Sequence, residues 1–107
     1  MKQFKDMTLQ ALEQSYVKLF AKPTIDMTPV EIESRGETVH NLSLTILKME
    51  TASMQKLHEA MAVSGGEMQK ALSILEKATT ESSDYLTTVE AVDQALQIIS
   101  STLLFML

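Results

Sequence analysis

The chain has 107 residues, 45% of them hydrophobic, 21% charged and 5% aromatic, with 3 Gly, 2 Pro and neither Cys nor Trp. That length supports one domain, and Gly and Pro are too sparse for a disulfide scaffold, a turn-rich β-sandwich or a linker. Nine Lys and Arg against 14 Asp and Glu give a net charge of −5, and the basic residues are scattered singly up to Lys77, so the chain is not expected to bind nucleic acid.

Without Cys there is no thiol catalysis and no thiolate metal site. The start, Met-Lys-Gln-Phe-Lys-Asp, lacks the apolar run of a cleavable signal peptide. Residues 94–107 are uncharged but fall short of the roughly 20 apolar residues of a membrane span. The expectation is a protein made in the cytoplasm, without membrane attachment, and open to export without a cleavable signal.

The expected fold class is all-α, a long coiled-coil-like helical hairpin with an additional N-terminal helix, in one helical domain over 1–107. The first helix is predicted over 2–21, where Phe4, Met7, Ala11, Leu12, Tyr16, Leu19 and Phe20 recur at three- and four-residue steps. Lys22-Pro23 ends it, because proline displaces its predecessor from the α region and lacks an amide hydrogen.

The second helix is predicted over 29–63. Thr28-Pro29-Val30-Glu31 supplies an N-cap, a first-turn proline and the capping-box glutamate. Ile32, Val39, Leu42, Ile46, Met49 and Leu57 then trace one stripe. Ser64-Gly65-Gly66-Glu67 reads as the hairpin turn, since adjacent glycines readily take the left-handed conformation that closes a helix.

The third helix is predicted over 67–107. Steps of four and three from Ala71 pass through Leu75, Ala78, Ser82, Tyr85, Val89, Val92, Leu96, Ile99, Leu103 and Met106, a heptad seam broken only by Ser82. Thr79-Thr80-Glu81-Ser82-Ser83-Asp84 is poor in helix formers, so the helix either runs through 79–84 or restarts there.

Glu37-x-x-His40 has the ligand spacing of di-iron bundles, but Gln55 stands where a second pair, ending at His58, needs Glu. Neither a Gly-x-Ser-x-Gly elbow nor a Gly-rich phosphate loop occurs. No catalytic, cofactor-binding or metal residue is assigned, no cofactor is expected, and the chain is read as a non-enzyme. Its last ten positions are apolar around nearly the whole helix, and such a helix must be surrounded. The expected interface is Tyr85, Val89, Val92, Leu96, Ile99, Leu103, Leu104, Phe105 and Met106, buried in a homo-oligomer or against a helical protein partner.

Leu75-Glu76-Lys77-Ala78, Ser83-Asp84-Tyr85-Leu86 and the terminal Ser101-Thr102-Leu103-Leu104 carry a resemblance over residues 66–107. This region resembles small type III secretion subunits, the inner-rod proteins and the flagellar hook-basal-body adaptor. Glu90 and Asp93 depart from it where those families carry a basic residue. The resemblance implies a non-enzymatic subunit, exported unfolded and uncleaved, whose terminal helices pack side by side in a helical assembly. The other function the residues suggest is a small helical chaperone or adaptor that forms a discrete dimer and holds a partner's amphipathic helix.

Overall fold

A computed structural model describes residues 4–80 and 84–104, with the side chains at 4, 61, 64 and 65 left aside. All regular structure among them is helical: α1 (Phe4–Phe20), a 3-10 turn (Thr24–Asp26), α2 (Pro29–Thr51), α3 (Met54–Thr80) and α4 (Tyr85–Leu104).

The start of α2 forms as its sequence dictates. The Thr28 hydroxyl accepts from the Glu31 amide at 3.2 Å, and the Glu31 carboxylate accepts from the Thr28 amide at 2.8 Å. Two of the amides that a helix start leaves without intrahelical partners are thereby satisfied. Extended backbone at Pro23 and Met27 frames the 3-10 turn and reverses the chain from α1 into α2.

Two expected boundaries are corrected. The helix expected over 29–63 stops at Thr51, because Ala52 takes an extended conformation (φ −70°, ψ 137°). Ser53 then starts α3, its hydroxyl accepting from the Lys56 amide at 3.2 Å. The expected turn at Ser64–Glu67 is absent: α3 runs straight through Gly65-Gly66, and no described glycine has a positive φ. Beyond the glycines Met68, Ala71, Leu75 and Ala78 are buried in the core, and this packing outweighs the weak helix propensity of two glycines. The third helix, expected to begin at 67, begins at Met54, and of the two courses left open at 79–84 the chain takes the restart, α3 ending at Thr80 and α4 beginning at Tyr85. Residues 81–83 of that break lie outside the described residues.

The four α-helices form a bundle 44 Å long and 24 by 19 Å across. α3, about 40 Å at the standard rise, accounts for the long axis. α4 packs against α3 and α2, and α1 completes the square against α2 and α3. Lys5 on the first turn of α1 reaches the carbonyls of Glu50 and Ala52, both at 3.0 Å, so α1 and α2 are antiparallel. The Tyr85 hydroxyl donates to the Leu19 carbonyl at 2.7 Å, which sets the start of α4 beside the end of α1. Leu12, Leu19, Leu42, Met49, Leu75, Val92 and Ile99 fill the centre. The bundle thus has a turn end, carrying the 3-10 turn, and a joint end, carrying the Ala52-Ser53 break.

Candidate interaction surface

The seam expected as an interface is largely consumed inside the chain. Val89, Val92, Leu96, Ile99 and Leu103 are each 5% exposed or less and belong to the bundle core. α4 lies between α3 and α2, so two neighbours from its own chain cover a wide apolar face. A heptad seam records only that a helix must be covered; here α2 and α3 do the covering. Tyr85 is half-buried, and burial raises its pKa above the usual value. Its ring carries the Lys22 ammonium 5.5 Å from the centroid. Leu104 is 62% exposed, and Phe105 and Met106 lie outside the described residues.

At the turn end, polar contacts bind α1 to α2. Lys22 pairs with Glu31 at 2.9 Å, and Arg35 donates to the Thr24 hydroxyl at 2.9 Å while stacking 4.8 Å from the Phe20 ring centroid. Tyr16 and Phe20 lie 4.9 Å apart. The Thr28 amide, with help from Lys22, holds the Glu31 carboxyl below its usual pKa. The Thr87 hydroxyl donates to Asp84 at 2.7 Å and lowers that pKa in the same way. Outside this polar frame stand uncovered apolar side chains: Val17, Val30 and, at the tip of the 3-10 turn, Ile25, which is 92% exposed.

At the joint end the Ala52-Ser53 break leaves a pocket of about 270 Å³ lined by Lys48, Thr51, Ala52, Ser53, Lys56, Ser100, Leu103 and Leu104. Its wall is aliphatic on the α4 side and bears two lysines on the α2 and α3 sides. Met54 and Leu47 are also exposed in this part of the chain. Along the bundle a shallower groove of about 430 Å³ runs between α1 and α3, lined by Met7, Gln10, Ala11, Gln14, Leu72, Glu76, Thr79 and Thr80.

Glu37 and His40 are both exposed on α2, and His58 sits exposed on α3, a different helix from the one its sequence position suggests. Among the described residues no three His, Asp or Glu side chains come together as a metal ion requires, and no helix is long and apolar enough to cross a membrane. Sequence reasoning passed over Ile25 and the joint-end pocket. Ile25 was legible as a lone aliphatic between Thr24 and Asp26 in a turn, whereas the pocket depends on a helix break that no Gly or Pro announces. Compared with protein-family models, with curated proteins and with solved structures, the chain finds no significant match.

Proposed function

We propose that the chain is a non-enzymatic helical assembly subunit that works by self-association or by packing against a partner's helix, in the manner of a secretion-system rod or adaptor component. The observation that carries this reading is the distribution of uncovered apolar side chains. Ile25, Val17 and Val30 stand at one end and Leu104 and Met54 at the other, with Val63 comparably exposed along α3, where they add nothing to the bundle's own core. Large aliphatic groups left in water at both ends of a rod-shaped bundle fit contact with other molecules at those ends.

A chaperone or adaptor role draws on a different feature, the α1–α3 groove with Met7, Ala11 and Leu72 in its floor and walls. Flexible thioethers and small side chains suit an apolar helix of variable shape. The two roles separate by stoichiometry. An assembly subunit grows in mass with concentration through a non-closing contact, and an adaptor stops at a discrete complex. Light scattering over a hundredfold concentration series is the test: a mass that climbs without a plateau supports the assembly role, a plateau at a dimer supports the adaptor, and a constant monomer mass removes self-association from either.

A further inference from the structure

We propose that the Ala52-Ser53 joint is a hinge through which two copies of this chain exchange halves: α2 and α3 straighten into one helix, and the α1–α2 half of each copy packs on the α3–α4 half of the other. The inference goes beyond the reading above, since the surface it uses is the bundle's interior and not its exposed side chains.

The arrangement of the halves selects the partner. Thr38 bonds Asp93, and Lys48 lines a pocket with Ser100, so α2 runs parallel to α4. α3 meets Leu103 and Leu104 near its start, through Ser53 and Lys56, and ends just before α4 begins, so it runs antiparallel to both. α2 and α3 are thus neighbours in sequence, yet each packs on α1 and α4 rather than on the other. Opened at the joint, the chain is two helical hairpins, each with an apolar face: Leu12, Leu42 and Met49 on one, Leu75, Val92 and Ile99 on the other. The cover that each face needs is the opposite hairpin, and a second copy supplies it residue for residue.

Helical phase points the same way. The residues buried on the two helices run from Thr38, Leu42 and Met49 before the joint to Ala60, Ala71 and Leu75 after it. At about 100° per residue, all the buried positions of α2 and α3 fall within an arc of roughly 140° on a single uninterrupted helix. The apolar register therefore carries through the joint as if the chain did not bend there. Neither Gly nor Pro stands at the bend, and the residue that makes it, Ala52 with φ −70° and ψ 137°, is of the type that favours helix most.

The bend is held by side chains standing in for backbone. In a continuous helix the Glu50 and Ala52 carbonyls accept from amides four residues on. Here the Lys5 ammonium donates to both at 3.0 Å, and the Lys56 amide goes to the Ser53 hydroxyl at 3.2 Å instead of to Ala52. Straightening returns these groups to backbone partners, so neither state strands them. One core reachable through two settings of a two-residue hinge is the condition for exchange between identical chains. The straightened helix spans 29–80, about 80 Å at the standard rise. Two of them, antiparallel, carry a bundle at each end, and because both bundles are made by the same exchange the assembly closes at a dimer.

A distance within one chain tests this. The sequence has no cysteine, so Glu33→Cys and Lys70→Cys, both at exposed positions, place one nitroxide on α2 and one on α3. In the bent chain the two are separated mainly by the width of the bundle, 24 by 19 Å; on the straight helix they stand about 55 Å apart. Labelled chain is mixed with excess unlabelled chain, refolded from urea at high concentration and separated by gel filtration. Pulsed dipolar spectroscopy should then read the short distance in the monomer and the long one in the dimer. Met54→Pro tests the hinge itself, at a position 45% exposed. Proline suits the first turn after Ser53, as Pro29 does after Thr28, but breaks a helix that runs through, so dimer yield should fall at least about tenfold while circular dichroism shows a folded monomer. Lys5→Met with Ser53→Ala removes two holds on the bend and should raise the yield severalfold. A dimer that keeps the short distance, or that Met54→Pro forms as readily as the wild type, overturns the exchange and leaves self-association through exposed surfaces standing. A wild type that returns only as monomer overturns the exchange outright. Should Met54→Pro fail to fold, the label distance decides alone.

Discussion

In the α3–α4 pair, Ala71, Leu75 and Ala78 pack with Val89, Val92, Leu96 and Ile99 in an apolar cluster that Leu12, Leu19, Leu42 and Met49 of the other two helices complete. The α1–α2 pair is built otherwise. Four hydroxyl residues, Thr8, Ser15, Thr38 and Thr45, are buried on it, against Thr88 and Thr102 on α4, and its register is pinned at both ends by charged side chains, Lys5 on the Glu50 and Ala52 carbonyls and Lys22 on Glu31. Buried aliphatics supply most of the stabilising free energy but fix position loosely, because the hydrophobic effect is non-directional. Hydrogen bonds and ion pairs add little net energy yet demand one geometry. Both pairs therefore feed one apolar core, and the α1–α2 pair in addition carries the charged contacts that set the alignment of its helices.

The largest effect separating the halves is expected from Leu75→Ala. Leu75 is fully buried, and such truncations cost about 3 kcal/mol through lost transfer energy and the cavity left behind. Thermal unfolding followed by circular dichroism should show a midpoint lower by roughly 10 °C or more. A drop of only a degree or two would mean that Leu75 does not pack in the core as described.

Thr38 and Thr45 divide the polar half more finely. The Thr38 hydroxyl donates to Asp93 on α4 at 2.7 Å, whereas that of Thr45 donates to the Asn41 carbonyl of its own helix at 2.8 Å. Thr38→Val should cost about 1–2 kcal/mol, since it leaves a half-buried carboxylate without its hydroxyl partner. Thr45→Val removes a bond that joins no second element, and its midpoint in urea should move by an equivalent of about 0.5 kcal/mol or less. Equal losses at the two sites would mean that crossing to another helix confers no advantage.

Gly66→Ala acts with the opposite sign. Nothing stands within 4 Å of the methyl group that alanine would add, and the glycine is helical with no positive φ. The substitution should stabilise the protein by about 1 kcal/mol, in line with the propensity difference. A left-handed turn at this position, as the Ser64-Gly65-Gly66-Glu67 pattern suggests in isolation, would make the same change destabilising, so a melting curve decides between the two backbones.

These substitutions also mark what was legible in the sequence. The all-helical character, the end of α1 and the start of α2 at Thr28-Pro29 followed from signals that act within a few residues: a proline that forbids helix and a capping box that begins one. The joint at Ala52-Ser53 was not legible, because a single extended residue ends α2 there and that residue is alanine, the best helix former. Gly65-Gly66 misled for the converse reason, as local preference gave way to the burial of Met68 and Ala71 beyond it. The periodicity from Ala71 to Leu103 located buried positions on α3 and α4, but apolar spacing carries no record of whether the covering helix belongs to the same chain. Ile25 and the pocket around Lys48 escaped notice because one is a lone side chain in a turn and the other is created by the unannounced joint.

The smallest effect concerns acid, and it distinguishes the halves by where it acts. The Glu31 carboxylate accepts from the Thr28 amide at 2.8 Å and from Lys22 at 2.9 Å, and its pKa in the folded chain lies below the usual 4.5. A carboxyl whose pKa is depressed on folding stabilises the native state above its unfolded value, and that contribution disappears as pH falls through the folded one. Stability should therefore decline as pH drops below about 4.5, and Glu31→Gln should flatten that decline while already lacking the ion pair at neutral pH. Asp84, lowered by the Thr87 hydroxyl, titrates in the same direction at the start of α4, so the flattening should be partial. Hydrogen exchange read residue by residue between pH 5 and 3 gives the regional answer, once rates are corrected for their intrinsic pH dependence. Amides in the first turns of α2 should lose protection before those of Leu75 and Ile99. If all four helices lose protection together, with or without Glu31, the turn end is not an independently titrating clamp, and the alignment of α1 on α2 must come from Lys5 and the buried leucines instead.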